Sequence, residues 1–294
     1  MRDQVNSYWT TGISLLIDGL SFGMILFLIS SGLTITLGVM RLLNIAHCGF
    51  AMIGGYTALS LVNHFGLGLL AALPIAVAIT AILGAILERT VYRWIYETSA
   101  LGQILMTIGL TFIMIASINA GYGSLTHTLP TPEFLAGAWH FEEISISAYR
   151  SFLSIVSLTI AGLIWYVIEQ TDFGARLRAS VDNPRMARCV GINVRRVFAQ
   201  TFVAGCALAA IAGVLGTQML PLQPYYATNY MVMVLIVVAV GGFGSLKGSL
   251  IAALGYSIFD TYFRYLFPAA GAFGIYILLA LILSIRPFGL YGRA

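Results

Sequence analysis

The sequence predicts an all-α fold, a polytopic transmembrane helical bundle of about eight or nine spans, some of them interrupted, with one short helix outside the membrane. Three observations carry the prediction. Of 294 residues, 59% are hydrophobic and only 9% are charged, whereas a soluble domain carries about 25% charged residues. Uncharged stretches recur that are long enough to cross about 30 Å of hydrocarbon. Six of the fifteen Lys and Arg residues crowd into residues 171–197, between two uncharged runs, as expected of a basic loop on the cytoplasmic side.

Taken in order, the opening MRDQVNSYWTTG has one Arg and one Asp and no small-residue cleavage site, so it reads as the lead-in to an uncleaved first span. Residues 19–40 are 22 residues without a charge, with Asp18 at the outer end. Gly19 and Gly23 sit four apart within the run, a spacing suited to close helix packing. Arg41 separates this run from 42–62, which contains Asn44, His47, Gly49, Gly54 and Gly55. Residues 67–87 are uncharged and end at Glu88, Arg89, Tyr92 and Arg93, an interfacial basic–aromatic edge. A further uncharged run follows over 100–122. Residues 123–149 differ in kind: they hold Pro130, Pro132, Glu133, Glu142 and Glu143 but no Lys or Arg, which makes an acidic loop on the opposite side. Residues 151–168 cross back to the basic loop.

Residues 197–246 are 50 residues without a charge, too long for one span, and Pro221 to Tyr226 marks an external turn within them. A glycine-dense break at 241–248 precedes a span over 249–266. The last crossing, 265–285, is interrupted near 268–274, and Arg286 and Arg293 make a short basic carboxyl end. The charge bias places the amino end outside and the carboxyl end inside.

Several function classes drop out. Cys48, Cys189 and Cys206 have neither paired nor metal-like spacing, so no disulfide framework is implied. The four histidines are scattered, there is no HExxH, and no Ser or Cys has a His partner at motif spacing, so the chain is expected not to be an enzyme. The net charge of +4 comes largely from the basic loop and reports topology, which leaves no case for nucleic-acid binding. Residues 241–248 are not a phosphate-binding loop, since no Gly directly precedes Lys247 and no Ser or Thr directly follows it.

Three constellations remain as candidate sites. In the basic loop, Asp182-Asn183-Pro184 reads as a helix start, a capping side chain followed by a proline whose missing N–H costs nothing there. Gly191 is the matching stop. The turns between carry apolar Met186, Ala187 and Val190 with charged Arg185 and Arg188, a short amphipathic helix suited to a partner's groove. The plainer alternative is an ordinary positive-inside loop.

Asn44 and His47, three residues apart, would share one helical face. Polar groups at membrane depth are costly unless paired or facing a cavity, so both are pathway candidates, with Gly49 beside them; hydrogen bonding to a neighbouring helix is the structural alternative. Glycine-rich backbone is tolerated in lipid only where buried in protein or lining water, and paired interrupted segments mark a transporter's substrate path. That nominates Gly241, Gly242 and Gly244, against simple tight packing. Thr36 and Gln218 are further polar candidates. Asp260 and Arg264, spaced i, i+4, read as a structural salt bridge near the outer end, with a proton relay as the alternative.

The basic segment resembles the coupling loop of ABC-importer permeases. Asn44-Ile-Ala46-His47, running on to Gly49, resembles the N-x-A-H-G signature of permeases of the branched-chain (hydrophobic) amino acid importers, with Cys48 inserted between His and Gly. Gly241-Gly242-Phe243-Gly244-Ser245, ending at Gly248, is similar to a second signature of that family. With residues 88–93 and 286–293 these motifs stand in the family's order, so the resemblance covers residues 1–294 as one permease domain.

It implies a subunit of an ATP-driven importer in the bacterial cytoplasmic (inner) membrane, carrying branched-chain or other hydrophobic amino acids; close relatives carry urea, short amides or small aromatic acids. It implies that Asp182, Asn183, Pro184, Arg185, Ala187, Arg188 and Gly191 couple to two separate ATPase subunits, which hold ATP and Mg while this chain has no cofactor. A second related permease, forming a heterodimer, and a periplasmic or lipid-anchored substrate-binding protein complete the expected assembly. The alternative class is a stand-alone secondary transporter or channel, which needs coupling-ion residues near the midplane, and no clear set is visible.

Overall fold

Helix α1 (Arg2–Met40) runs for 39 residues without interruption, about 58 Å at about 1.5 Å per residue. Its stretch 23–34 is buried on every side, the mark of a helix at the centre of a bundle. This computed structural model of the chain describes residues 2–40, 42–96, 98–141, 144–286 and 289–291. Arg41, Glu142, Glu143 and Arg293, which figure in the sequence reading, lie outside them.

The second run does not continue as helix from residue 42. Residues 42–46 leave the helical path, and α2 (His47–Phe65) begins only at His47 and closes on Gly66 with φ 64°. Helix α3 (Leu69–Leu87) passes through a π-helical turn, Glu88–Tyr92, into the single turn α4 (Arg93–Ile95). Helix α5 (Ala100–Tyr122) is capped by the Ser99 hydroxyl, which accepts from the Gly102 amide at 3.3 Å.

The acidic loop corrects the all-α expectation in one detail. Strands β1 (Ala138–Phe141) and β2 (Ile144–Ser147) form a two-stranded antiparallel hairpin, with Ala138 opposite Ser147. The Ile-Ser-Ile-Ser alternation of β2 has the two-residue period of a strand. Backbone bonds of 2.8 and 2.9 Å between His127 and Leu222 tie the start of this loop to the turn that follows α9.

Helix α6 (Ala148–Gln170) leads into α7 (Asp172–Asp182) and α8 (Pro184–Cys189), and α9 (Val194–Leu215), α10 (Tyr226–Gly241), α11 (Leu246–Leu266) and α12 (Gly271–Ile285) complete the chain. α1 packs chiefly on α11, α9 and α6, and α9 also holds α2 and α3. Small residues permit the close passages: a Cβ on Gly54 of α2 would stand 2.7 Å from Ala210 Cα of α9.

Among the described residues, five segments are long and apolar enough to cross a membrane: Thr10–Met40, Leu69–Ile95, Ala100–Tyr122, Ala148–Gln170 and Val194–Gln218. The described helices therefore form a polytopic bundle, but length and apolarity alone stop short of eight or nine spans. The reasons are local. α2 has 19 residues but carries His47, Asn63 and His64, Tyr226–Gly241 and Phe273–Ile282 are short, and α11 carries Lys247, Asp260 and Arg264. The same comparison separates centre from rim: half of the most apolar window of α1 is buried, but only 11% of that of α6. α6 and α5 turn Ile155, Leu158, Leu163, Leu105, Phe112 and Ile113 outward, an apolar surface that suits lipid or a partner helix.

Candidate functional site

Asn44 and His47 do not share a helical face, because α2 starts between them. Asn44 sits in the non-helical break, fully buried. Its Oδ1 accepts from the Ala46 amide at 3.1 Å and from the Tyr92 hydroxyl at 2.8 Å. Its Nδ2 has no partner among the described residues. His47, also buried, points the other way, with Nε2 3.0 Å from the Ile29 carbonyl of α1. A carbonyl can only accept, so Nε2 carries the hydrogen.

α1 makes room for the ring at Gly32, where a Cβ would lie 2.8 Å from His47 Cε1 and 2.7 Å from the Gly205 carbonyl of α9. Gly49 meets Met114 of α5, and the Cys48 thiol is 3.5 Å from the Met231 sulfur of α10. The inserted cysteine thus fills a closed apolar contact. Tyr92, which the sequence offered only as part of an interfacial edge, is brought to Asn44 by the π-helical turn; such turns often occur at functional sites.

The second glycine segment is a tight connection between α10 and α11. Gly242 and Gly244 have φ of 95° and 81°, the left-handed region that glycine enters without strain. A Cβ on Gly244 would stand 3.0 Å from Gly38 Cα of α1. Ser245 caps α11 by accepting from the Gly248 amide at 3.1 Å, and the Leu290 amide donates to Val240 O at 2.7 Å. Both interrupted segments therefore press on α1, the first at Ile29–Gly32 and the second at Gly38, about two turns further on.

In the basic loop the cap is Asn183, whose Oδ1 accepts from the Met186 amide at 3.0 Å, with Pro184 in the first helical turn. Asp182, expected as part of the helix start, instead ends α7. Gly191 has φ 84°, and the Ile192 amide returns to Ala187 O at 3.0 Å. Asn193 then caps α9 by accepting from the Arg196 amide at 3.0 Å.

Ala187 is buried and seats α8 against the bundle, while Met186 and Val190 are 62% and 72% exposed. Arg185 and Arg188 are exposed beside them. Of the loop's six arginines only Arg178 has an ion-pair partner among the described residues, Glu169 at 3.8 Å. The result is a projecting helix with two bare apolar side chains flanked by unpaired positive charge.

The remaining polar candidates bond within the fold. Thr36 donates to carbonyls one turn back in α1, and Gln218 Nε2 reaches Leu129 O at 2.7 Å. Asp260 Oδ2 accepts from Arg264 Nε at 2.7 Å, as the i, i+4 spacing predicts. Asp18 pairs with Arg150 of α6, a partner the sequence did not offer. Among the described residues no group of three His, Cys, Asp or Glu side chains could hold a metal ion.

Residues 15–285 match the family described as the branched-chain amino acid transport system/permease component. The chain belongs to this family. The match takes in the Asn44–His47 break, α8 and the glycine turn together. The permease is 29% identical to the high-affinity branched-chain amino acid transport system permease protein BraD of Pseudomonas aeruginosa, over 95% of each chain. It is 29% identical to the corresponding protein LivH of Escherichia coli K12, over 94% of each. LivM of the same organism matches at 27%, over 81% of the permease and 61% of LivM. Among solved structures, PsaBC from Streptococcus pneumoniae in complex with Fab overlaps 92% of the permease and 89% of its own chain, with a TM-score of 0.49 and 17% identity.

Proposed function

We propose that the permease is the membrane subunit of an ATP-driven ABC importer for branched-chain or other hydrophobic amino acids, and that α8 couples it to separate ATPase subunits. The observation that carries the coupling role is the exposure pattern of α8. One small side chain, Ala187, anchors the helix, while Met186 and Val190 project with most of their surface uncovered. A positive-inside loop needs only charge; it has no need of a capped, glycine-terminated helix with bare apolar side chains.

Two ATPase subunits bind ATP and Mg, a second related permease pairs with this one, and a periplasmic or lipid-anchored binding protein delivers the cargo. Similarity to both LivH and LivM, two permease proteins of one organism, supports the pair. The shorter helices α2, α10, α11 and α12 bring the crossings to eight or nine, with the amino end outside. This orientation is supported by the contact of Asp18 with Arg150, at the acidic-loop end of α6, while Gly38 meets Gly244 at the other end of α1. Asn44, His47 and Gly49 on one side, and Gly241, Gly242 and Gly244 on the other, border the translocation path, where the breaks let α2 and α10 shift against α1.

Co-purification of the tagged chain from its native membrane tests the reading. Two ATPases and a second permease are expected to come with it, and Ala187→Asp or Gly191→Trp is expected to strip the ATPases away. A chain that purifies alone and still moves substrate into vesicles lacking ATP sinks the proposal and revives the secondary-transporter class.

A further inference from the structure

At the end of α1 remote from α8, a pocket of about 430 Å³ opens between α1, α6, α10 and α11, within the size range of small-molecule sites. Two acids and two bases line it: Asp18 and Arg150, which pair with each other, and Asp260 and Arg264, which pair at 2.7 Å. The rest of the wall is mixed, with apolar Phe22, Met219, Leu220 and Met233 beside polar Gln218, Tyr230 and Thr261. Charge therefore balances within the pocket, and both signs face one space.

The pairs are incomplete. Asp260 is 5% exposed, and its second oxygen, Oδ1, has no donor among the described residues although it is buried. A carboxylate oxygen left this way is costly unless a donor arrives from outside. Each guanidinium has five N–H donors, and the recorded side-chain bonds use one on Arg150 and one on Arg264, so both can still receive an anion.

We propose that this pocket binds a free amino acid as its zwitterion. The ammonium donates to Asp260 Oδ1, the carboxylate accepts from Arg150 and Arg264, and an aliphatic side chain lies against Phe22, Met219 and Met233. A single-charge ligand would leave one pair of the lining unanswered; a zwitterion answers both and keeps the pocket neutral. The inference rests on the importer reading above for the identity of the cargo, and it makes this permease a point of selection in its own right.

Equilibrium binding of radiolabelled leucine to the assembled permease–ATPase complex in nanodiscs, without the binding protein, tests it. Leucine is expected to bind at least about tenfold more tightly than N-acetyl-leucine, which lacks the ammonium, or leucinamide, which lacks the carboxylate. Asp260→Asn, which keeps an acceptor for Arg264, is expected to weaken leucine by about tenfold and leave N-acetyl-leucine unchanged. A merely structural salt bridge would move both ligands alike or neither. Arg150→Gln is the companion variant, and the Asp260→Asn result decides alone if that one fails to assemble.

Equal binding of leucine and its two analogues overturns the pocket proposal, as does wild-type leucine affinity in Asp260→Asn, while leucine transport by the wild-type complex keeps the importer reading intact. A wild-type complex that neither binds nor transports leucine, yet moves an uncharged cargo such as urea, overturns the cargo reading and the pocket together.

Discussion

Replacing Met186 and Val190 together by serine is the most direct test of what α8 is for. Most of each residue stands clear of the permease: they are 62% and 72% exposed. Burying a Val or Met side chain fully is worth about 1.5–3 kcal/mol. Since most of each is still available to be covered, docking into a partner's groove gains about 1–2 kcal/mol from each, or about 2–4 kcal/mol from the pair. The double variant should therefore bind the ATPase subunit about 30- to 1,000-fold more weakly. The permease itself should keep its stability to within about 0.5 kcal/mol, as usual for exposed positions. The assay is titration of purified ATPase subunit onto nanodisc-held permease, with thermal unfolding of the permease alone as the control. An affinity within about threefold of wild type, with stability unchanged, would mean that no partner covers these side chains and would refute the docking argument.

Other outcomes follow from the packing around α1. Gly32→Val puts a branched side chain where even a Cβ would be 2.7 Å from Gly205 O, and overpacking of this kind costs about 1–3 kcal/mol; differential scanning fluorimetry in detergent should show a lowered Tm. His47→Ala removes the donor to Ile29 O and leaves a void, so the Tm should fall, with partial recovery in His47→Gln because its amide can still donate; an unchanged Tm in the alanine variant argues against the bond. Asn193→Ala deletes the cap of α9, worth about 1 kcal/mol, and hydrogen exchange should speed at the Arg196 amide while the middle of α9 stays protected.

Much of this molecule could be read without coordinates, and the legible parts share a physical basis. The apolar runs, the basic loop, the capped start and glycine stop of α8, and the Asp260–Arg264 pair all depend on groups no more than a few residues apart, or on composition alone. Such interactions leave a spacing in the chain. Even there the local rule had limits: Asn183 capped the helix while its neighbour Asp182 closed the preceding one, because adjacent side chains both suited to capping leave the choice to the path of the backbone.

What the tertiary structure decided lies in contacts between distant residues. Asn44 takes the Tyr92 hydroxyl across 48 positions and Asp18 takes Arg150 across 132. His47 turns to α1 because Gly32 leaves the space for its ring. No periodicity encodes these pairings. They are fixed by which helices pack together, helped by close approaches at small residues such as Gly19, Gly23 and Gly32 of α1 and Gly213 of α9. The outer pocket is the clearest case: its four charges come from three helices, and only its Asp260–Arg264 half left a spacing in the chain. Sequence determined that this chain would be a helical membrane protein with a short capped helix in a basic loop. Packing alone determined which buried polar atoms found partners and which, like Asn44 Nδ2 and Asp260 Oδ1, were left without one among the described residues.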